Sequence, residues 1–173
     1  ISDDIVYNDQ LIENLALEYL VPRTFLFGPE GIVAYSFATE GCRNFVIAED
    51  GMSQGFTSIM SFEVLSDEIT FATDHVVSNW SIVYTSPDTV LLSEPAQDWW
   101  WYWNNDEYEE ATNIHRFEGT TTGDLEYSGS GRVGGTVLDQ FSLSEYEGAI
   151  RVATTTDQWN RWWITDPPPP ENH

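Results

Sequence analysis

The chain has little positive charge. Its 173 residues carry six Arg and no Lys against 29 Asp and Glu, which gives a formal net charge of -23. Charge of this sign repels nucleic acid phosphates and anionic lipid, so neither is expected as a partner. It suits a salty or divalent-rich medium, which screens the self-repulsion. The composition therefore favours a protein that works outside the cytosol.

Cysteine and long apolar runs are also scarce. Cys42 is the only cysteine, which excludes an intrachain disulfide and a Cys-based zinc site. No apolar run approaches the roughly 20 residues of a membrane span, and no signal peptide is visible, so no membrane insertion is expected. The chain starts at Ile1 and ends in a Pro-rich tail at 166–173. Both ends suggest a piece cut from a longer protein.

One helix is predicted, over residues 8–20. Leu11, Leu15 and Tyr19 lie four residues apart and give this segment an apolar face. Pro22 limits its continuation. With 14% aromatic residues, the rest of the chain is rich enough in apolar side chains to form a core.

After the helix the sequence predicts about ten short strands separated by Gly, Pro and Asp turns. This spacing is typical of an antiparallel all-β protein. The predicted strands are 24–27, 31–38, 43–49, 57–65, 68–72, 81–86, 89–94, 112–118, 124–131, 135–142 and 149–156.

A weak internal repeat supports a particular all-β architecture. Residues 57–63 (TSIMSFE) align with 112–118 (TNIHRFE), and each copy continues with further strands. Four strands repeating at about 50 residues are typical of a β-propeller blade. The sequence therefore predicts antiparallel four-stranded blades of a partial β-propeller, with one short N-terminal helix.

Two short patterns imitate catalytic motifs. Residues 129–134 spell G-x-G-x-x-G, but a short β-branched segment follows instead of the helix that a dinucleotide site requires. The glycines are predicted to serve a tight turn between strands. Ser53 lies in a G-x-S-x-G pattern, but a strand follows where a nucleophile elbow needs a helix. Neither pattern predicts an enzyme.

The segment 125–156 resembles a family of secreted bacterial and archaeal β-propeller proteins that are distantly WD-repeat-like. The family's signature matches at Asp139-Gln-Phe-Ser142, Glu145-Tyr146, Gly148 and Arg151-Val-Ala-Thr-Thr155. The resemblance covers residues 57–160 and is specific over 112–156. It implies a propeller fold and no known catalytic residues.

Four residues of this signature form the predicted structural site: Asp139, Ser142, Glu145 and Arg151. Ser142 and Glu145 have capping-box spacing and Gly148 suits a helix end, so one helical turn is expected between two strands. Arg151 could bind Glu145 or Asp139 in bidentate fashion. Such a cluster would either clamp the blade or grip a ligand.

An aromatic run and an acidic run are the candidate binding segments. Trp99, Trp101, Tyr102 and Trp103 form part of an unbroken aromatic run, of which some rings should be exposed. Such rings anchor a loop, form a protein interface or bind a glycan. The acidic run that follows could hold Ca²⁺ or be a solvated charge run. Its candidate metal ligands are Asp106, Glu107, Glu109 and Glu110.

We expect three segments: an N-terminal helical segment at 1–22, about three blades at 23–165, and the tail at 166–173. A propeller closes with at least four blades, so other blades of the same propeller are expected as partners.

The predicted function is a non-enzymatic binding or scaffold module, secreted or at the cell surface. Its expected partner is an envelope protein or glycan, and its only cofactor candidate is Ca²⁺. The alternative is a carboxylate- and Ca²⁺-dependent hydrolase or lyase with its site in the propeller channel. His75 and His115 are expected to be ordinary structural residues.

Overall fold

A computed structural model describes most of the chain. Most of its secondary structure is β-strand, arranged in small antiparallel sheets. The chain divides into two compact units, Ile1–Phe45 and Val46–His173. The described residues are 2–36, 45–49, 55–65, 71–78, 80–96, 110–121, 123–157 and 169–173.

The first unit consists of a helix followed by a β-hairpin. Helix α1 spans Ser2–Asn14, and a short 3-10 turn spans Leu17–Tyr19. The hairpin pairs β1, Arg23–Gly28, with β2, Gly31–Ser36, as the sequence predicts. Gly31 closes the turn at a φ of 130°, where a side chain would strain the backbone.

Helix α1 lies earlier in the chain than the sequence predicts. The expected range was 8–20, but the backbone of Ala16 is extended (φ -69°, ψ 137°) and ends the helical path before Pro22. The apolar spacing indicated a helix but not its limits, because side chains such as Ile12, which is 62% exposed, bury too little surface to determine where the helix ends.

From residue 45 onward the chain forms eleven described strands. They are β3 (Phe45–Ile47), β4 (Gly55–Phe62), β5 (Phe71–Ser78), β6 (Ile82–Thr85), β7 (Thr89–Pro95), β8 (Ala111–Gly119), β9 (Leu125–Gly134), β10 (Leu143–Tyr146), β11 (Ala149–Val152), β12 (Thr155–Thr156) and β13 (Glu171–Asn172).

Strands β6, β7, β8 and β9 form a four-stranded antiparallel meander in sequence order. This is the arrangement that the sequence predicts for one blade. The central strands β7 and β8 are buried along most of their length, whereas β9 is largely exposed. The second unit is therefore built around this sheet.

The four-stranded sheet carries a hydrophobic cluster on each face, because successive residues of a strand point to opposite sides. On one face Leu92 clusters with Val76 of β5. On the other face Leu91 clusters with Ile114 of β8 and Leu143 of β10. The sheet is thus packed between the β4–β5 pair and the β10–β11 hairpin.

A three-stranded sheet in the order β3-β5-β4 precedes it. The internal repeat aligned β4 with β8, and both strands do form an antiparallel pair with the strand that follows. Their positions differ, however, because β4 lies at a sheet edge in the described chain and β8 is internal. Accordingly β4 alternates half-buried and exposed side chains, whereas β8 is buried on both faces.

Strand β5 runs six residues beyond the predicted end at residue 72 and finishes at Ser78. The polar side chains of Thr73, Asp74 and His75 interrupt the apolar pattern there. Thr73 and His75 are nevertheless buried, so this polar segment belongs to the sheet. Polar residues within a buried strand hid its length from the sequence pattern.

The segment 135–142 was predicted as a strand, and this is wrong. It contains a single bridge, between Thr136 and Thr155, followed by a 3-10 turn over Gln140–Ser142. The Asp139 carboxylate accepts a hydrogen bond from the Phe141 backbone N–H at 2.8 Å and so caps that turn. Asp is among the best capping residues, which is why the chain turns here.

The helical turn predicted after Ser142 is also wrong. Strand β10 begins at Leu143 and pairs with β11. Glu147 and Gly148 connect the two strands with φ values of 51° and 77°. Positive φ at both positions characterises the type I′ hairpin turn, so Gly148 serves a hairpin instead of a helix end.

The glycines of the G-x-G-x-x-G pattern lie within β9, and the predicted tight turn is wrong. The register of β8 and β9 shifts between Arg116 and Phe117, which leaves Ser128 as the extra residue of a β-bulge. Within the described residues 135–157, no α-helix follows Gly134. A dinucleotide loop needs that helix. Ser53 itself lies outside the described residues, as does Cys42, and the strand predicted after Ser53 is β4.

The chain's end returns to the second unit. Strand β13 pairs with β12, and the His173 backbone N–H donates to the Thr154 carbonyl at 2.9 Å. The last residues of the Pro-rich tail therefore form a strand that pairs with β12. In the described segments, none of the helices has the length and apolar character that a bilayer span demands.

Candidate functional site

Most of the predicted binding residues lie outside the described part of the chain. This holds for Trp99, Trp101, Tyr102 and Trp103, and for the predicted metal ligands Asp106, Glu107 and Glu109. Their roles stay predictions.

Glu110 is the one predicted metal ligand in the described chain. It is half-buried, and its carboxylate accepts a hydrogen bond from the Asp157 backbone N–H at 2.9 Å. Its carbonyl accepts another from the Gly135 N–H at 2.7 Å. Asp157 has a φ of 54°, so this carboxylate helps to hold a backbone conformation that a non-glycine residue seldom adopts. Glu110 therefore joins three chain segments.

The four signature residues lie together but act separately. Asp139 caps the 3-10 turn, and the Ser142 carbonyl accepts from the Ala153 N–H at 2.8 Å. The Glu145 carboxylate accepts from the Gly148 N–H at 2.9 Å, which supports the hairpin turn. The Arg151 guanidinium lies 4.4 Å from the centre of the Tyr146 ring. The arrangement is a cation–π contact on a hairpin.

The predicted clamp between Arg151 and Glu145 or Asp139 is wrong, and strand register explains why for Glu145. Arg151 pairs with Ser144, while Glu145 pairs with Ile150. Cross-strand partners share a face and successive residues alternate, so Arg151 and Glu145 point to opposite faces. Within the described segments, the ion pairs do not include Arg151.

A buried His–Glu pair was missed by the sequence analysis. The His115 Nε2 lies 3.2 Å from the Glu94 Oε1, with side-chain exposures of 1% and 2%. Glu94 pairs with Asn113, two residues from His115, so the two side chains are diagonal neighbours on one face of the sheet. The available signal was a carboxylate at the end of the apolar segment Val90–Leu92. Because solvent barely reaches either group, the pair suits a structural role.

The second histidine occupies the neighbouring sheet. The His75 Nδ1 lies 2.8 Å from the Ser58 hydroxyl, and burial lowers the pKa of His75 from its ordinary value of 6.5. The preceding residue, Asp74, points to the other face of β5. Burial, and then the negative charge of Glu126, raise the pKa of Asp74 from 3.8. Both shifts favour the neutral side chain.

An open groove of about 340 Å³ lies between β9 and the β10–β11 hairpin. Its apolar wall includes Ile114, Val133, Ile150 and Val152, and its floor runs along Ser128 to Val133 of the glycine-rich strand. Arg116 adds one of the chain's six basic side chains, whereas Arg132 pairs with Asn113 and directs its side chain to the opposite face of the sheet. The sequence pattern showed the glycines but not this groove, because only the bulged β8–β9 register and the returning hairpin bring its walls together.

The described acidic residues do not collect into a metal centre. Within that part of the chain, no three His, Cys, Asp or Glu side chains lie close enough to hold an ion. Of the groups that do approach one another, His115 and Glu94 are shielded from solvent. Among the described residues, the groove is an accessible feature whose shape suits a ligand and to which Arg116 adds positive charge.

Comparison with known proteins agrees with the blade-like sheets. A family described as Beta propeller domain matches residues 3–167. No curated protein and no solved structure matches the chain. The family match covers nearly the whole sequence, and the four-stranded meander packed between neighbouring sheets is consistent with a partial, unclosed propeller. The chain therefore belongs to the beta propeller domain family.

Proposed function

We propose that this chain is a non-enzymatic binding or scaffold module of propeller type that works outside the cell. The observation that carries the proposal is the contrast between two features. The groove beside β9 is open, whereas the His115–Glu94 pair, within the described part of the chain, is almost completely buried. A catalytic group must contact its substrate, and the buried His115–Glu94 pair cannot do so. The open groove is therefore suited to binding.

The charge of the chain supports a position outside the cytosol. A net charge of -23 keeps the protein soluble in a salty medium and disfavours polyanionic partners. An envelope protein or glycan is the proposed partner. The aromatic run Trp99, Trp101, Tyr102 and Trp103 is the proposed contact, because exposed aromatic rings anchor both kinds of interface.

The test is binding of the purified chain to isolated envelopes of the cells that make it. A variant with Trp99, Trp101, Tyr102 and Trp103 replaced by Ser should lose at least tenfold in affinity, since aromatic anchors dominate many interfaces. Trp80→Ser is the matched control, because Trp80 is 82% exposed and lies outside the run. The affinity of the Trp80→Ser variant for envelopes should stay unchanged.

Two results would contradict this proposal. One is that the wild-type chain and the aromatic variant bind envelopes equally. The other is turnover of polysaccharide or ester substrates by the wild-type chain with Ca²⁺, at rates that fall when Ca²⁺ is chelated. That second result would support the hydrolase or lyase alternative.

A further inference from the structure

We infer that the groove beside β9 binds an extended peptide segment, which adds a strand to β9 and places one carboxylate on Arg116. This inference rests on the proposed binding function and specifies a ligand class for a different surface. Its support comes from the edge of β9, from the glycines along it, and from the charge of the groove.

Strand β9 offers backbone groups for pairing. Among the described strands it pairs with β8 alone, so every second residue directs its N–H and C=O away from the sheet. Ser130, Gly131 and Arg132 form a consecutive exposed stretch of this ten-residue strand. An exposed edge of this kind is the usual template for β-strand addition by a peptide.

The glycines leave room for the side chains of such a peptide. A Cβ built on Gly129 or Gly131 would meet no atom within 4 Å, so open space lies above both residues. Gly131 pairs with Ile114, and Gly129 pairs with Arg116. These four residues share one face, on which a peptide side chain can lie against Ile114 and another can reach Arg116.

The charge of the groove selects a carboxylate. Arg116 lines it on the same face as Ile114, in a chain with six basic and 29 acidic side chains. Arg116 is 24% exposed, and its guanidinium is 2.7 Å from the carboxylate of Glu118, which is 48% exposed. This pair shows that the guanidinium can donate to a carboxylate, and solvent makes the pair weak enough for another carboxylate to replace Glu118.

The rest of the peptide should be neutral or basic, because the protein's net charge repels a polyanion. A suitable probe is the fluorescein-labelled, end-blocked heptapeptide Lys-Thr-Val-Thr-Glu-Thr-Lys. Its Val and Glu are two residues apart and therefore share a face in an extended strand. One matched probe replaces Glu with Gln, and another carries N-methyl groups on alternate residues, which remove the donors needed for strand pairing.

Fluorescence anisotropy with the whole chain tests the inference. The Glu peptide should bind about tenfold more tightly than the Gln peptide, as expected for a charge-assisted hydrogen bond. Arg116→Gln should abolish this preference. Glu118→Gln removes the competing carboxylate, so it should strengthen binding of the Glu peptide but not of the Gln peptide. Gly131→Val should weaken both peptides at least tenfold, because it fills the groove where a Cβ meets no neighbour.

The inference is overturned by equal binding of the Glu and Gln peptides, by equal binding of the N-methylated probe, or by no binding of any probe at millimolar concentration. Glu118→Gln changes only an exposed side chain, so it remains informative if Gly131→Val does not fold. Envelope binding through the aromatic run is measured separately. If the chain still binds envelopes but binds no peptide, the inference that the groove binds a peptide is rejected, whereas the proposed function is not.

Discussion

The His115 Nε2 lies 3.2 Å from the Glu94 Oε1, and the two side chains are 1% and 2% exposed. They sit on adjacent central strands of the four-stranded sheet, next to the cluster that contains Leu92 and Phe117. A buried polar group that loses its partner cannot recover a hydrogen bond from water. The pair therefore favours this register of β7 and β8, because another register would separate the two buried groups.

This pair gives the first prediction. His115→Leu should lower the free energy of unfolding by about 1–3 kcal/mol, because it leaves the Glu94 carboxylate without this partner. Adding Glu94→Leu should recover part of the loss, since two apolar groups then replace two polar ones. Urea denaturation of the two single variants and the double variant measures the coupling.

The matched control for this cycle is the partly exposed pair Arg116–Glu118, with an N–O distance of 2.7 Å. Surface pairs contribute about 0–1 kcal/mol, so Glu118→Gln should change stability little. Strictly additive losses in the His115 and Glu94 cycle would contradict a direct interaction.

Gly135 is predicted to tolerate no side chain. Its φ is 83°, and a Cβ would lie 3.0 Å from the Thr154 Cβ and Oγ1 and 3.1 Å from the Thr155 carbonyl carbon. Gly135→Ala should therefore destabilise the protein by about 1–3 kcal/mol, through backbone strain and crowding. Thermal unfolding compared with Gly131→Ala tests this. Gly131 has open space, so its Ala variant should be neutral or slightly stabilised.

Acidification should reduce stability through His75. Burial lowers the pKa of His75 in the folded state, so the unfolded chain binds a proton first as the pH falls below 6.5. The favourable contribution of neutral His75 is complete above pH 6.5 and is lost as the pH falls toward the folded-state pKa. Urea midpoints between pH 7.5 and 5 should fall less in His75→Gln than in the wild type. Equal slopes would contradict the prediction.

Asp74 changes the pH dependence of stability in the opposite direction to His75. Its pKa is raised, so its favourable contribution is complete below about 3.8 and is lost as the pH rises through the folded-state pKa. Asp74→Asn should therefore stabilise the protein at pH 7 and have little effect at pH 3. Glu126→Gln, which removes the nearby charge, should give a smaller gain of the same sign. A loss of stability in Asp74→Asn at pH 7 would mean that the ionised carboxylate makes favourable contacts.

Calcium binding is the remaining prediction. Native mass spectrometry with and without EDTA should show one Ca²⁺ that chelation removes, if Asp106, Glu107 and Glu109 bind it through several oxygens. The double variant Glu107→Gln/Glu109→Gln should lose the ion. Glu126→Gln/Glu147→Gln removes the same charge elsewhere and should keep it. Glu110→Gln is a poor test, because that carboxylate also holds the Asp157 backbone.

Strands bounded by turn residues were predicted closely. The predicted strands 89–94 and 112–118 correspond to β7 (Thr89–Pro95) and β8 (Ala111–Gly119), because Asp88 precedes the first strand and Gly119 ends the second. Glycine positions were recognised as special, but their setting was wrong. Gly148 lies in a hairpin and Gly131 in a strand, since the same backbone freedom serves turns, caps and bulges alike.

The signature residues also show where prediction from the sequence failed. The sequence identified Asp139 and Glu145 as parts of one signature, yet it paired Arg151 with them by charge alone. The two-residue turn at Glu147 and Gly148 sets the register of β10 and β11, and this register places Arg151 and Glu145 on opposite faces. The sequence analysis assigned Gly148 to a helix end and so missed that register.

By itself, the amino-acid sequence determined the all-β character, the approximate strand positions and the strong negative charge, because these depend on composition and on local periodicity. The tertiary structure alone decided that Glu94 meets His115, that Arg151 meets Tyr146, and that a groove opens beside Gly131. The first and the third depend on how strands that are distant in sequence pair and stack, whereas the second depends on the register of the β10–β11 hairpin. Such contacts follow from the register and packing of the whole sheet, which no single segment of sequence contains.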